Sequence, residues 1–250
     1  AVTDESAFMA WTAGTYSVVR NASNTSEYVL EAKTDVDVLT IARLFGSERY
    51  ETARQVANYE RDISMEAVLI VASGHNYNFP DALAASSLSG ANGNAPILLT
   101  DPSALPASAR TLIGQAASAT KVYIIGDTPS VSSAVEAEIA SVLPSAQIVR
   151  LAGETRMRTA ELIFDEIGTK ASKTAIIARS MDFPDSLSAS SWAAYTVSPI
   201  FLTDFAETGL AQTTIEALAS GGFERIVVMG SELSVPASVV NQALAATGLA

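Results

Sequence analysis

The sequence writes the same text twice, and this constrains the fold more than any other feature. Phe79-Pro80-Asp81-Ala82-Leu83-Ala84-Ala85-Ser86-Ser87 returns 104 positions later as Phe183-Pro184-Asp185-Ser186-Leu187-Ser188-Ala189-Ser190-Ser191. Pro96-Ile97-Leu98-Leu99-Thr100-Asp101 returns as Pro199-Ile200-Phe201-Leu202-Thr203-Asp204. Gly126, Ser130 and Val131 return as Gly230, Ser234 and Val235. Upstream, Arg43-Leu44, Gly46, Arg49, Thr52 and Ala53 match Arg150-Leu151, Gly153, Arg156, Thr159 and Ala160. Blocks in one order at nearly one spacing define two copies of a module of about 105 residues, an ordinary domain size. The 250 residues therefore divide into a leading stretch 1–42, a module 43–149 and a module 150–250.

Within each copy, short continuous apolar runs alternate with helical patterns. The runs 67–72, 96–100, 121–125 and 147–151 have strand length. Between them, 48–59, 81–89, 108–117 and 132–142 have helical spacing or composition. The second copy repeats the strands at 174–178, 200–203 and 225–229. A strand that is apolar at every position is buried on both faces, which calls for helices above and below a parallel sheet. The expected fold is α/β: tandem repeated modules, each a mainly parallel sheet with helices on both faces. In the leading stretch, 16–19 reads as a strand, 26–32 as a helix and 36–43 as a strand. That order copies the end of a module, so 1–42 is read as a linker or as the tail of a degenerate preceding module, and the chain as a window cut from a longer array.

Composition narrows the chemistry. With 27 acidic against 15 basic residues and a net charge of −12, the surface repels phosphate backbones, and no nucleic-acid partner is expected. No apolar run reaches the ~18 residues of a membrane-spanning helix, so no membrane insertion is expected. The chain has no Cys and one His, His75. Thiolate catalysis, disulfides and a zinc site built on several imidazoles are thereby excluded within it. The absence of Cys suits an exported protein.

The strings Arg43-Leu-Phe-Gly-Ser-Glu-Arg-Tyr-Glu-Thr-Ala53, Asn78-Phe-Pro-Asp-Ala-Leu83, Pro96-Ile-Leu-Leu-Thr100 and Val122-Tyr-Ile-Ile-Gly126 resemble the cell wall binding repeat 2 family of Gram-positive surface proteins. The resemblance covers about residues 43–250. It implies α/β modules, usually three in tandem and packed as a pseudo-threefold trimer. It also implies a secreted, wall-associated protein. Such modules anchor surface-layer proteins, adhesins and wall hydrolases noncovalently by binding an anionic secondary wall polymer. The partners implied are that polymer and further copies of the module in the parent chain. The family's proline-isoleucine-leucine-leucine motif, implicated in attachment, stands intact at Pro96, Ile97, Leu98 and Leu99. It stands at Pro199, Ile200, Phe201 and Leu202 with Phe in the third place. The tyrosine of Gly46-Ser-Glu-Arg-Tyr50 is Met157 in the second copy, so a ligand that uses a tyrosine face is held less well there.

Physical chemistry sorts the candidate contacts. Ile97 and Leu98 read as core in a central strand, since exposing each would cost about 2 kcal/mol. Ligands of open α/β sheets gather at the carboxyl ends of strands. Direct contact is therefore expected from Thr100, Asp101, Thr203 and Asp204, with the apolar motif as support. Pro80 and Pro184 suit a helix start. Asp81 and Asp185 then fall in the first turn, as caps or as polar groups beside the ligand cleft. Asn78 belongs to the same motif. The small residues that follow favour a packed helix interface. Arg49 and Arg156 offer fork-shaped donors to phosphate or carboxylate, unless spent on Glu48, Glu51 or Glu154. An acidic chain that binds an anionic polymer needs such local basic spots or bridging Ca²⁺ or Mg²⁺, yet no ligand loop of recognisable spacing occurs.

Catalysis finds little support. His75 lies near Ser73 and Asp81 in sequence, but the second copy has no His at the matching place, and no Gly-x-Ser-x-Gly elbow exists. No Walker loop or dinucleotide fingerprint occurs. Asp35 and Asp37 alternate along a strand edge and make no metal pair. The expectation is a non-enzymatic module with no catalytic residue, metal or cofactor. A wall hydrolase and a structural protein-interaction array of the surface layer are the alternatives.

Overall fold

The computed structural model describes residues 16–20, 28–32, 43–59, 61–75, 79–182 and 184–249. The chain forms two units, 1–44 and 45–250. In the first, β1 (Tyr16–Arg20) and β2 (Tyr28–Ala32) pair antiparallel, with Tyr16 opposite Ala32 and Arg20 opposite Tyr28. Over its described residues, 28–32, the helix expected at 26–32 is thus a strand. The run Tyr28-Val29-Leu30 carries β-branched and aromatic residues that favour extended backbone, and a seven-residue window is too short to fix a helical period. Residues 36–42 of the strand expected over 36–43, and the pair Asp35 and Asp37, lie outside the described residues.

The second unit holds both modules. In the first, β3 (Val68–Ser73), β4 (Ile97–Thr100), β5 (Lys121–Ile125) and β6 (Gln147–Leu151) make one parallel sheet in the order β4-β3-β5-β6. Ile70 lies beside Ile97 on one side and Tyr123 on the other. The second module has β7 (Thr174–Ala178), β8 (Ile200–Leu202) and β9 (Arg225–Met229) in the parallel order β8-β7-β9. The helices are α1 (Arg49–Asn58), α2 (Phe79–Ala91), α3 (Ala107–Gln115) and α4 (Ser133–Val142). After them come α5 (Arg156–Ile167), α6 (Pro184–Thr196), α7 (Gln212–Ser220) and α8 (Ala237–Thr247). The strand β6, which leads into the second module, hydrogen-bonds in the sheet of the first.

Alternation along the strands divides the core. Leu69, Val71, Val122 and Ile124 face a core private to the first module. Ala175, Ile177 and Phe201 face one private to the second. The opposite faces, carrying Ile70, Ala72, Tyr123 and Ile125 from one sheet and Ile176, Ala178, Ile200 and Leu202 from the other, share a single core. Small residues of α2 and α6 close this junction. A Cβ on Gly90 of α2 would sit 1.9 Å from the carbonyl oxygen of Ala194 on α6, so only glycine lets the backbones come this near. The small-residue helices are therefore packing surfaces, as expected. α2 packs on α5 and α6 of the next module, whereas α6 leaves Leu187 and Tyr195 exposed, Tyr195 at 87%.

The Pro-Ile-Leu-Leu strand occupies a sheet edge, where a central strand was expected. It reads as central because helices cover it: α1 packs on β4, and α5 packs on β8. Burial on both faces, not position in the sheet, produces the unbroken apolar run.

Candidate functional site

A cavity of about 190 Å³ opens where the two modules meet. Pro80, Asp81, Asp127, Ser130, Gly153, Glu154, Thr155, Arg156, Thr159 and Phe205 line it. All of them follow the carboxyl ends of parallel strands, namely β3, β5, β6 and β8. Each module contributes, so neither builds the cavity alone.

Asp81 lies at its floor. The residue is only 7% exposed, and its carboxylate rests on the backbone of Gly126. That glycine has φ +103°, and a Cβ there would meet Asp81 Oδ2 at 2.7 Å and Ser130 Cβ at 2.8 Å. Burial pushes the Asp81 carboxyl up to about 6, and the charge of Asp127 adds to the rise. The Arg156 guanidinium and the Ser130 hydroxyl, which donates to it, pull the other way. A helix-cap role alone would stabilise the anion and lower the value. The dominant contribution here is desolvation, so Asp81 is a buried group of the cavity. The loop beneath it is clamped. Gly126 N–H donates to the Leu151 carbonyl, Arg150 donates to the Gly126 carbonyl at 2.8 Å, and Asp127 Oδ1 accepts from Ser130 N–H at 3.1 Å.

Arg156 enters from the other module at the start of α5. Thr155 caps that helix, its Oγ1 accepting from Arg158 N–H, and Thr159 Oγ1 accepts from Gly153 N–H at 3.1 Å. Arg156 donates to the Ser180 carbonyl at 2.6 Å, and its guanidinium lies 5.6 Å from the Phe205 ring centre. Arg49 repeats the pose, donating to the Gly74 carbonyl at 2.6 Å. Glu51 pairs with Arg54.

Of the residues singled out from sequence, the cavity brings together Asp81 and Arg156. Arg49 with Tyr50, and Asp185, form two partial copies of the same arrangement. Arg49 and Tyr50 pack over Gly74, where a Cβ would meet Tyr50 at 2.5 Å. Burial raises the Tyr50 phenol, and the charge of Asp101 raises it further. At the far end, Asp185 rests on Gly230, whose φ is +116° and whose added Cβ would lie 2.5 Å from Asp185 Oδ2. Gly74 corresponds to Ser180 through the strand register, and the bulkier Tyr50 to Met157. The tyrosine needs the glycine, so the two positions change together. The same register sets Met181 at the place of His75.

Leu98, Ile200, Phe201 and Leu202 are buried, Pro96 and Pro199 likewise, while Ile97 and Leu99 are half-buried. The strand-end threonines are buried and committed to the main chain. Thr100 Oγ1 donates to the Asp101 carbonyl at 3.0 Å, and Thr203 Oγ1 accepts from Ser180 N–H at 3.0 Å. Asp101 accepts from Ser103, which holds its carboxyl low, and Asp204 accepts from Thr208 N–H. These residues shape the loops beside the site. Asn78 lies outside the described residues.

Sequence reading missed Asp127, Ser130, Glu154, Thr155, Thr159 and Phe205. The repeat did mark Gly126, Ser130 and Thr159, but nothing in the text shows that they gather around Asp81. Phe205 has no such mark, because its counterpart is Pro102. Among the described residues, no cluster of three or more His, Asp or Glu is placed to hold a metal ion. Among the same residues, no helix is long and apolar enough to cross a membrane.

The model of the cell wall binding domain 2 (CWB2) family matches residues 43–136 and again 150–240. The chain belongs to the CWB2 family. Both CWB2 matches begin at the arginine that opens a repeat. Among characterised proteins, the N-acetylmuramoyl-L-alanine amidase LytC of Bacillus subtilis is 29% identical over 203 residues, covering 81% of this chain and 38% of LytC. Cwp6 from Clostridium difficile shares the fold at a TM-score of 0.72 and 25% identity, over 90% of this chain and 34% of Cwp6. Cwp8 from the same organism gives a TM-score of 0.72 and 25% identity, over 83% and 34%. The chain thus spans little more than a third of the relatives it matches. Its two CWB2 modules share one core and build one cavity at their junction.

Proposed function

We propose that the two CWB2 modules anchor a secreted surface protein noncovalently to the Gram-positive cell wall by binding an anionic secondary wall polymer. The junction cavity is the contact point. One observation carries the assignment of the site. Asp81 and Arg156, one from each repeat, converge at the carboxyl ends of parallel strands, where open α/β sheets take their ligands. Family membership supports wall binding and a location at the cell surface. The module is read as non-catalytic: LytC is an amidase, but it is matched over 38% of its length, by a stretch whose recognisable content is CWB2 repeats. Further modules of the parent chain are proposed to cover the partial sites at Arg49 and Asp185.

The test is retention of the chain on purified walls before and after chemical removal of the secondary polymer. Retention should fall on stripped walls. Equal retention would reject the polymer as ligand, and release of reducing ends or free amines from the walls would reject the non-catalytic reading.

A further inference from the structure

The charge in the junction cavity sits poorly with a phosphate. Among the described residues that line it, Asp81, Asp127 and Glu154 present three carboxylates against the guanidinium of Arg156. That guanidinium already donates to the Ser180 carbonyl and lies beside Phe205. An anion entering here would meet a net negative field at short range, where repulsion is strongest. Carboxylates are acceptors only, so the cavity asks for a ligand rich in O–H donors.

Phe205 supplies the other half of the chemistry. The remaining described phenylalanines of the second module, Phe164, Phe201 and Phe223, pack against one another at 5.4–5.8 Å. Phe205 stands apart on the loop after β8, 52% exposed, with its ring on the cavity wall. A lone exposed apolar side chain is ordinary. One that walls a cavity opposite three acceptors is placed to meet something with an apolar face and a hydroxylated edge. A pyranose ring has both. The cavity is smaller than the ~300–1,000 Å³ of drug-sized clefts, which suits one ring.

We propose that the junction cavity is a sugar subsite in which Phe205 stacks on the face of one uncharged pyranose of the polymer. The ring's hydroxyls donate to the carboxylates of Asp81, Asp127 and Glu154. The polymer's anionic groups stay outside the cavity. This rests on the wall-polymer reading above and adds which part of the polymer is read. The counterpart position in the first module is Pro102, so the platform belongs to this junction and is not a property of every module.

The test uses the full chain, purified walls, neutral oligosaccharide prepared from the same wall polymer by removal of its anionic groups, and inorganic phosphate. Wild-type protein should be displaced from walls by the neutral oligosaccharide and not by phosphate at equal ionic strength. Phe205→Ala should weaken retention about tenfold, as expected for the loss of one aromatic contact. Phe205→Trp should keep it within about threefold. Both variants should melt with the wild type, because the ring is not part of the core. Unchanged retention of Phe205→Ala overturns the proposal, as does displacement by phosphate but not by the neutral sugar. Failure of the wild type to bind walls at all would reject the wall-polymer reading itself, and the subsite with it.

Discussion

Gly126→Ala separates strain from function, because the repeat supplies its own control in Gly230→Ala. Both glycines have positive φ, +103° and +116°, and a backbone held there by a non-glycine residue costs ~1–3 kcal/mol. Both added methyl carbons collide, at 2.7 Å with Asp81 and at 2.5 Å with Asp185, and each also meets a serine Cβ at 2.8 Å. Overpacking of this kind adds ~1–3 kcal/mol, offset by ~0.4–1 kcal/mol of lost freedom in the unfolded chain. The clash is relieved differently in the two modules. Asp185 is half-exposed and can swing into solvent, whereas buried Asp81 can move only into the cavity. We expect a loss of about 3 kcal/mol for Gly126→Ala and about 2 kcal/mol for Gly230→Ala in urea unfolding. Wall retention at a concentration of urea where both remain folded should then diverge. Gly126→Ala loses it because the cavity floor has moved. Gly230→Ala keeps it because no residue of that loop lines the cavity. A Gly126→Ala protein within 0.5 kcal/mol of wild type, or equal loss of retention in both variants, would refute the reasoning.

The remaining expectations concern buried polar groups. The folded-state value of Asp81 is raised from 3.8 to about 6, so between these values the folded protein binds more protons than the unfolded one. The burden of the buried charge is therefore full above pH 6. It is relieved as the pH falls toward 3.8, by up to about 3 kcal/mol. Asp81→Asn should flatten that rise in stability on acidification, and an unchanged slope would remove Asp81 as its source. Glu161 is buried and accepts from Thr213, Thr214 and Arg158. Its replacement by Ala strands the buried Thr214 hydroxyl, while exposed Thr213 and half-exposed Arg158 turn to water, and should cost about 2 kcal/mol in thermal unfolding. A loss under 0.5 kcal/mol would mean that water satisfies Thr214 as well. Ser108 occupies the place of Thr213 in the first module, where Arg54 stands in place of Glu161, and its buried hydroxyl meets no partner. Ser108→Ala should leave stability unchanged or raise it by up to about 1 kcal/mol, whereas a loss of that size would reveal a bond not seen here.

The strands of both modules were legible because continuous apolar runs of strand length leave little choice, and most of their boundaries fall within a residue of the expected ones. What the text could not carry was adjacency across the junction. Asp81 and Gly126 lie 45 positions apart, and each has a local explanation, as helix cap and as turn. Only the parallel packing of β3 beside β5 shows that one exists for the other. The motif strand was misplaced to the sheet centre because a one-dimensional pattern reports burial, and helices can supply that at an edge. The helix expected over 26–32 failed for want of length. Phe205 was invisible because repetition was the guide, and a residue that departs from its counterpart leaves no trace in a search for sameness.

The partial arrangements at Arg49 and Asp185 have a consequence for valency. The complete cavity is a property of the seam between two modules, so one module has none, and modules strung in a line have one fewer seam than modules. Closing the line into a ring adds the missing seam without adding residues. Affinity for a repetitive ligand should therefore not grow in proportion to module number. It begins only with the second module. It steps up again if the ends meet, and each further seam then engages a ligand already held nearby at high effective concentration.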